Sequence, residues 1–206
     1  MKPIVKVCGM QDPQLIDLCI QSGTKLIGFI INYPKSPRNI TFKQLSELTK
    51  NIPEEIDTVA VMVNPSLDDV GKANDYVNTL QLHGDETNEF IKEIKEKFSN
   101  LKIFKALKIK EKKDLEQIKD YPDADNILLD TPAMGDSHAS AFNFNLLEGL
   151  NEKNFFLAGK ISSENVKTAL KYTNMIDVNS SLEEEVGIKS ADKISKFFKE
   201  LNTYEN

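Results

Sequence analysis

Residues 4–31 read IVKVCGMQDPQLIDLCIQSGTKLIGFII, with two short apolar runs on either side of an amphipathic segment. The runs Ile4–Cys8 and Leu26–Ile31 are rich in β-branched residues, which favours strands. Between them Asp12 stands directly before Pro13, an order typical of a helix N-terminus, and Pro13–Gln21 is helix-like. This stretch therefore predicts a strand, a helix and a second strand parallel to the first.

The same alternation repeats along the rest of the chain. Six more strands are predicted, over Thr58–Val63, Thr79–Leu82, Lys102–Leu107, Asn126–Asp130, Asn154–Ala158 and Met175–Val178. Helices are predicted over Phe42–Asn51, Leu67–Tyr76, Asn88–Phe98, Lys112–Lys119, Asn143–Leu150, Ser163–Lys171 and Ser190–Leu201, with caps at Thr41, Ser66, Thr87 and Ser162. Eight such units close naturally into a (β/α)₈ TIM barrel, predicted here as one α/β domain over residues 1–206. A doubly wound open sheet is the competing fold, and the absence of GxGxxG after the first strand counts against its dinucleotide-binding form.

The composition excludes several classes of function. The chain has 206 residues, 26 Lys plus Arg against 32 Asp plus Glu, and a net charge of −6, which argues against binding to nucleic acid or an anionic membrane. No apolar run approaches the roughly 18 residues of a membrane helix, and the first strand is too short for a signal peptide. We therefore expect a cytoplasmic protein. Two cysteines without a CxxC pair or a histidine cluster predict no metal site.

A barrel places its functional groups where strands end and the following loops begin. The residues at those points are Cys8-Gly9, the loop after Ile31, His83-Gly84, Asp130, Ala158-Gly159 and Asn179-Ser180-Ser181. We therefore expect them to surround one barrel mouth.

Cys8 and Asp130 are the residues best suited to acid–base chemistry. Backbone amides around the Cys8 thiol could lower its pKa toward a thiolate, although a small buried apolar role is equally compatible with its position. Asp130 ends the run Asn-Ile-Leu-Leu-Asp, where partial desolvation raises a carboxyl pKa and suits a general acid. A helix cap or a salt bridge is the alternative for Asp130. Cys19 lies on the apolar side of a helix and is predicted to be core.

Arg38 and His83 are predicted to contact a ligand. Arg38 is the only arginine of the chain and follows the proline-containing stretch of residues 32–37. A guanidinium can hold a carboxylate or phosphate at two points, so ligand contact is favoured over a surface salt bridge. His83 could be an acid, a base or a structural wall of the pocket. His138 lies in a polar loop and is assigned no role.

The loops after the seventh and eighth predicted strands suit a phosphate group. They contain Gly159 and Lys160, and then Ser180 and Ser181. In many barrels these two loops hold phosphate through backbone amides and the N-terminus of a short helix. The paired position indicates a phosphorylated small-molecule substrate.

The motifs, taken in order, are Lys-Val-Cys-Gly-Met, Gly28-Phe29, Tyr-Pro-Lys-Ser-Pro-Arg, Gln-Leu-His-Gly, Leu-Leu-Asp and Gly187-Ile188-Lys189. This order and spacing resembles the phosphoribosylanthranilate isomerase family, from the first strand to the final helix. The resemblance implies an Amadori rearrangement in tryptophan biosynthesis, which converts N-(5-phosphoribosyl)anthranilate into 1-(2-carboxyphenylamino)-1-deoxyribulose 5-phosphate. It implies Asp130 as the acid that protonates the ribose ring oxygen and Cys8 as the base that removes the carbon-2 proton. It also implies that Arg38 binds the anthranilate carboxylate and that no cofactor is needed.

Three loops depart from the family pattern. The residues Asp136-Ser137-His138-Ala139 stand where the family has Gly-Gly-Thr-Gly, and Lys160 replaces a glycine. After the eighth strand the family's Ser-Ser-Gly aligns with Asn179-Ser180-Ser181 or with Ser180-Ser181-Leu182, and the strand alignment favours Ser181 in place of the glycine. Glycine suits these loops because amides must approach the substrate closely and the backbone can need positive φ. One hypothesis is that Lys160 supplies charge to the phosphate in place of lost amide donors. The alternative is a diverged barrel that acts as a binding or regulatory protein, or on another sugar phosphate. The sequence leaves a monomer and a homodimer equally open.

Overall fold

Eight parallel strands close into a barrel in the computed structural model, which describes residues 2–131, 141–150 and 152–204. The strands, from first to eighth, are Ile4–Val7, Leu26–Ile31, Asp57–Met62, Thr79–Leu82, Lys102–Lys108, Asn126–Asp130, Phe155–Leu157 and Met175–Val178. Each strand pairs with the next in chain order, and the first also pairs with the eighth. The predicted (β/α)₈ barrel is therefore confirmed, and the second, fourth, sixth and eighth strands have the predicted bounds.

The helices cover the outside of the barrel. They are Pro13–Ser22, Phe42–Thr49, Leu67–Asn74, Asn88–Lys97, Val166–Ala169 and Ala191–Asn202. Four predicted caps are confirmed: the Asp12 carboxylate accepts from the Gln14 and Leu15 amides, and Thr41, Ser66 and Thr87 each accept from the amide three residues on. Among the described residues, no helix combines the length and the apolar character that crossing a membrane requires.

Three predicted helices differ from those observed. Residues Lys112–Asp120 and Phe144–Leu147 form 3₁₀ helices, and the α-helix predicted from Ser163 covers only Val166–Ala169. The cap prediction for Ser162 is wrong, because the helix starts one turn later. Ser162 lies instead in a turn, where its amide donates to the Asn165 side chain at 2.9 Å.

Two small elements near the barrel mouth add to the eight strands. The short strand Asn39–Ile40 pairs in parallel with the end of the second strand, and an antiparallel hairpin joins Glu183–Glu185 to Ile188–Lys189. A 3₁₀ turn, Ser180–Leu182, leads into this hairpin from the eighth strand. The hairpin carries charged side chains that contact the mouth.

Two apolar layers stabilise the fold. The barrel interior is filled by Cys8, Leu26, Val59, Val61, Phe104, Ala106, Leu128, Phe156, Ala158 and Met175, with the Phe104 and Phe156 rings 5.3 Å apart. The larger layer lies between barrel and helices and includes Cys19, which is fully buried as predicted. Side chains along each strand point alternately to the barrel interior and to the helix layer. The last inward-pointing residue of each strand is therefore the one that reaches the mouth.

Candidate active site

Cys8 directly follows the first strand and lies almost fully buried at the barrel mouth. Its amide donates to the Val178 carbonyl at 2.8 Å, so pairing with the eighth strand continues through this residue. Burial raises the pKa of the Cys8 thiol, and the opposing effects of Lys6 and Lys189 do not offset it. The expectation of a lowered pKa is therefore wrong, because desolvation of the thiolate outweighs the nearby positive charges.

Asp130 and His83 face each other across the mouth from the sixth and fourth strands. His83 Nε2 lies 3.5 Å from Asp130 Oδ2, and the two side chains are 27 % and 24 % exposed. The other Asp130 oxygen, Oδ1, accepts from the Thr131 amide at 2.8 Å. Among the residues that the structure describes, Asp130 caps no helix, and a loop amide and an imidazole hold it at the site.

Gln81 sets the orientation of the imidazole. It is buried on the fourth strand, two residues before His83, and its Nε2 lies 3.0 Å from His83 Nδ1. Because this amide donates to Nδ1, the proton of the neutral ring lies on Nε2 and points at Asp130. Gln81 was not predicted as a site residue, although its place on the same strand face as His83 is a usable signal.

Arg38 is held by a carboxylate of the hairpin. Its Nε and one terminal nitrogen donate to the two oxygens of Glu183, both at 2.6 Å. Burial of Glu183 would raise its pKa, but hydrogen bonds from Arg38 and Lys189 hold the pKa at about 2. The guanidinium is 16 % exposed and lies close enough to Cys8 for their charges to interact. Arg38 is thus fixed at the mouth, with further N–H donors beyond the two that Glu183 uses.

Lys189 ties the hairpin to the eighth strand. Its Nζ donates to Glu183 Oε1 and Asn179 Oδ1, both at 2.7 Å. Gly9, with φ +71°, makes this assembly possible, since a Cβ there would lie 2.8 Å from Arg38 Cδ and 2.9 Å from Asn179 Oδ1. Glu183 was missed by the sequence prediction because its partner Arg38 is 145 residues away.

The loops after the seventh and eighth strands meet, as their predicted role requires. The Ser181 hydroxyl donates to the Ile161 carbonyl, and the Asn165 side chain donates to the Lys160 carbonyl at 3.1 Å. Gly159 has φ +91°, and a Cβ there would crowd the side chains of Thr131 and Phe142. Thr131 and Phe142 therefore pack on the loop that contains Gly159.

Lys160 occupies a conformation that glycine favours. Its φ is +55°, in the left-handed region, and its side chain is exposed. Ser180 is also exposed, at the start of the 3₁₀ turn. The left-handed backbone at this position explains why the family has glycine here. The lysine keeps the same backbone conformation and adds a charge. The replaced stretch at residues 136–139, which includes His138, lies outside the described residues.

The mouth therefore brings together a thiol, a carboxyl with its imidazole, a fixed guanidinium and two joined loops. Within the described ranges, no group of three or more His, Cys, Asp and Glu side chains is arranged to hold a metal ion. The arrangement can take a proton from one side of a small anionic ligand and deliver one from the other.

Comparison with known proteins identifies the family. Residues 5–200 match the family model of N-(5'-phosphoribosyl)anthranilate isomerase. The isomerase of that name from Staphylococcus haemolyticus is 35 % identical over 201 residues, which cover 93 % of this chain and 94 % of the relative.

Solved structures of the same family superpose on nearly the whole chain. A phosphoribosylanthranilate isomerase in complex with reduced 1-(o-carboxyphenylamino)-1-deoxyribulose 5-phosphate superposes with a TM-score of 0.84 at 27 % identity, covering 98 % of this chain and 100 % of that one. Monomers generated from the dimeric isomerase of Thermotoga maritima give a TM-score of 0.84 at 28 % identity, with the same coverage. The chain belongs to the N-(5'-phosphoribosyl)anthranilate isomerase family.

Proposed function

We propose that this chain isomerises N-(5'-phosphoribosyl)anthranilate to 1-(2-carboxyphenylamino)-1-deoxyribulose 5-phosphate in tryptophan biosynthesis. The observation that carries the proposal is the placement of Cys8 and the Asp130–His83 pair at one barrel mouth, on different strands. An aldose-to-ketose rearrangement needs an acid at the ring oxygen and a base at carbon 2. Groups on separate strands can reach the two sides of one sugar.

Asp130 is the proposed general acid. In its protonated form it donates to the ribose ring oxygen, the ring opens, and the anthranilate nitrogen becomes a Schiff base. The His83 imidazole and the Thr131 amide beside it hold the carboxyl in place while it changes charge. The proposal assigns His83 to the substrate-binding wall as well, since its ring is partly exposed at the mouth.

Cys8 is the proposed general base. Its thiolate takes the proton from carbon 2 of the Schiff base, which leaves an enolamine that tautomerises to the ketone. The thiolate form has to arise first, because burial favours the thiol in this site. The low exposure of Cys8 keeps competing water away from the reactive intermediate.

Binding is divided between the two ends of the substrate. Arg38 is proposed to hold the anthranilate carboxylate with the donors that Glu183 leaves available. The phosphate is proposed to bind at the two joined loops. Backbone amides of Gly159, Ser180 and Ser181 donate to it, and Lys160 contributes its ammonium. The assignment rests on the contact between these two loops.

Turnover of freshly generated phosphoribosylanthranilate tests the function. We expect the substrate fluorescence to fall when the purified protein is added. We also expect a single product, which chromatography separates from anthranilate, the product of spontaneous hydrolysis. Boiled protein serves as the blank, and an established isomerase shows that the substrate is competent. A folded protein that gives only the hydrolysis product would instead support the diverged barrel.

Lys160 offers a test of the phosphate site. Lys160→Ala and Lys160→Gly are both expected to raise KM roughly ten- to a hundredfold with little change in kcat, because a hydrogen bond to a charged group contributes about 1.5–3 kcal/mol. Lys160→Gly alone is expected to raise the free energy of unfolding by roughly 0.5–1 kcal/mol, since relief of left-handed strain exceeds the entropy cost of glycine. Steady-state kinetics and urea unfolding measure the two effects. An unchanged KM in both variants would show that amides alone bind the phosphate.

The state of assembly and the location stay proposals. Structures of this family include monomers generated from a dimeric relative, and we propose a monomer or a homodimer here. The two cysteines, both free and buried, fit a reducing compartment, and we propose the cytoplasm.

A further inference from the structure

A buried ion pair lies inside the barrel, one layer below the mouth. Lys6 on the first strand is level with Asp177 on the eighth, and its Nζ lies 3.1 Å from Oδ1 and 3.0 Å from Oδ2. Lys6 is fully buried and Asp177 is 8 % exposed, among apolar residues that fill the rest of the interior. An apolar pair of similar size generally stabilises a core at least as well as a buried ion pair. Stability alone therefore gives no reason for these charges.

Lys6 also lies beside Cys8. The two residues are neighbours on the inward face of one strand, so their side chains enter the same part of the barrel interior. Gly28 on the second strand provides the space, because a Cβ there would lie 3.0 Å from Cys8 Sγ and 3.1 Å from Lys6 Cε. The Lys6 side chain thus pairs with the Asp177 carboxylate at its end and lies next to the thiol along its length.

The charges around Cys8 come from four elements. Lys6 lies on its own strand, Asp177 on the eighth strand, Lys189 in the hairpin and Arg38 after the second strand. Asp130 and His83, at the ends of the sixth and fourth strands, are close enough for their charges to act on Asp177. Among these groups, the charge of Lys6 does most to lower the pKa of the Cys8 thiol, while the charge of Asp177 raises it.

We infer that Lys6, held in place by Asp177, is a positioning residue that makes the Cys8 thiolate accessible for proton abstraction. The thiol releases its proton to water through the mouth, and the ammonium stabilises the resulting anion. In turnover the thiolate then takes the carbon-2 proton and returns to the neutral thiol. The role of the thiolate as a base in turnover rests on the proposed function, whereas the effect of Lys6 on ionisation of the Cys8 thiol does not.

The pH dependence of Cys8 ionisation tests the inference. In a Cys19→Ala background, the thiolate is followed by its ultraviolet absorbance and by the rate of alkylation with iodoacetamide. The variant Lys6→Met/Asp177→Asn replaces the ion pair with neutral side chains of similar size. We expect its midpoint to rise and alkylation at neutral pH to slow severalfold. The rise is expected to be smaller than the roughly 1–3 pH units that follow loss of one opposite charge, because loss of Asp177 partly offsets loss of Lys6.

A buried ion pair that lies away from Cys8 provides a matched control. Lys105→Met/Glu86→Gln removes a comparable pair on the outer side of the barrel and is expected to leave the Cys8 midpoint unchanged. Lys6→Met alone, which leaves the Asp177 carboxylate near the thiol, is the second variant and is expected to raise the midpoint further than the double variant, with circular dichroism showing that each variant is folded. An unchanged midpoint in the Lys6 variants, or an equal shift in the control, would overturn the inference. Because neither readout uses the substrate, failure of the isomerase assay is a separate result.

Discussion

Cys8→Ala and Asp130→Asn are each expected to lower kcat for phosphoribosylanthranilate by roughly 10²–10⁴-fold, which is the usual contribution of a general acid or base. Alanine leaves no group to accept the carbon-2 proton. Asparagine keeps the shape and the Thr131 contact of Asp130 but has no acidic proton for the ring oxygen. Both residues act in one sequence of proton transfers. The kcat of the double variant is therefore expected to be little lower than that of the less active single variant. Initial rates over a substrate series separate kcat from KM.

Two conservative variants serve as controls for this prediction. Cys19→Ala removes the other buried cysteine, which lies on the helix layer away from the mouth. Asp57→Asn changes a carboxylate at the start of the third strand, at the opposite end of the barrel from Asp130. Both are expected to keep turnover within about twofold of the parent, as distant substitutions usually do. Full activity in Cys8→Ala would remove the thiol from the mechanism.

Lys105→Met is expected to lower the free energy of unfolding by about 3–5 kcal/mol, the usual cost of stranding one charge of a buried pair. Lys105 and Glu86 are 1 % and 2 % exposed, with Nζ 2.8 Å from Oε2. Glu86 also accepts from the Asn64 amide at 2.7 Å and from the Gly84 amide. The carboxylate is therefore completely enclosed, and methionine leaves its charge without a cation. Urea unfolding followed by circular dichroism measures the loss.

Lys102→Met is the matched control, because it makes the same substitution on the same strand. Lys102 is 54 % exposed and pairs with Asp57 at 3.0 Å, and surface pairs contribute about 0–1 kcal/mol. Lys105→Met/Glu86→Gln is expected to recover most of the loss, since no buried charge is left unpaired. A Lys105→Met loss as small as that of Lys102→Met would show that water reaches Glu86.

The Lys105–Glu86 pair links stability to the site. Lys105 Nζ also donates to the Gly84 carbonyl at 2.7 Å, next to His83. The buried pair thus fixes the backbone next to His83, although neither charged side chain lies at the mouth. This arrangement follows the general need to fix functional groups through their supporting residues.

Local patterns in the sequence predicted most of the fold. The β-branched runs and the capped amphipathic segments between them are properties of neighbouring residues, so Leu26–Ile31 and Met175–Val178 could be delimited without the structure. The 3₁₀ helix Lys112–Asp120 could not be distinguished from an α-helix, because its two apolar residues, Leu115 and Ile118, lie three positions apart, a spacing that fits repeats of 3.0 and 3.6 residues alike.

By itself the sequence determined the barrel, and with it the position of Cys8, His83 and Asp130 at the ends of their strands. Only the tertiary structure decided how these groups are charged and held. Lys6 and Asp177 are 171 residues apart, and they meet because the eighth strand closes on the first. Glu183 reaches Arg38 in the same way, across the closed mouth. Burial and distant charges set the pKa of Cys8, and both arise only when the barrel closes, so no local pattern of residues could reveal them.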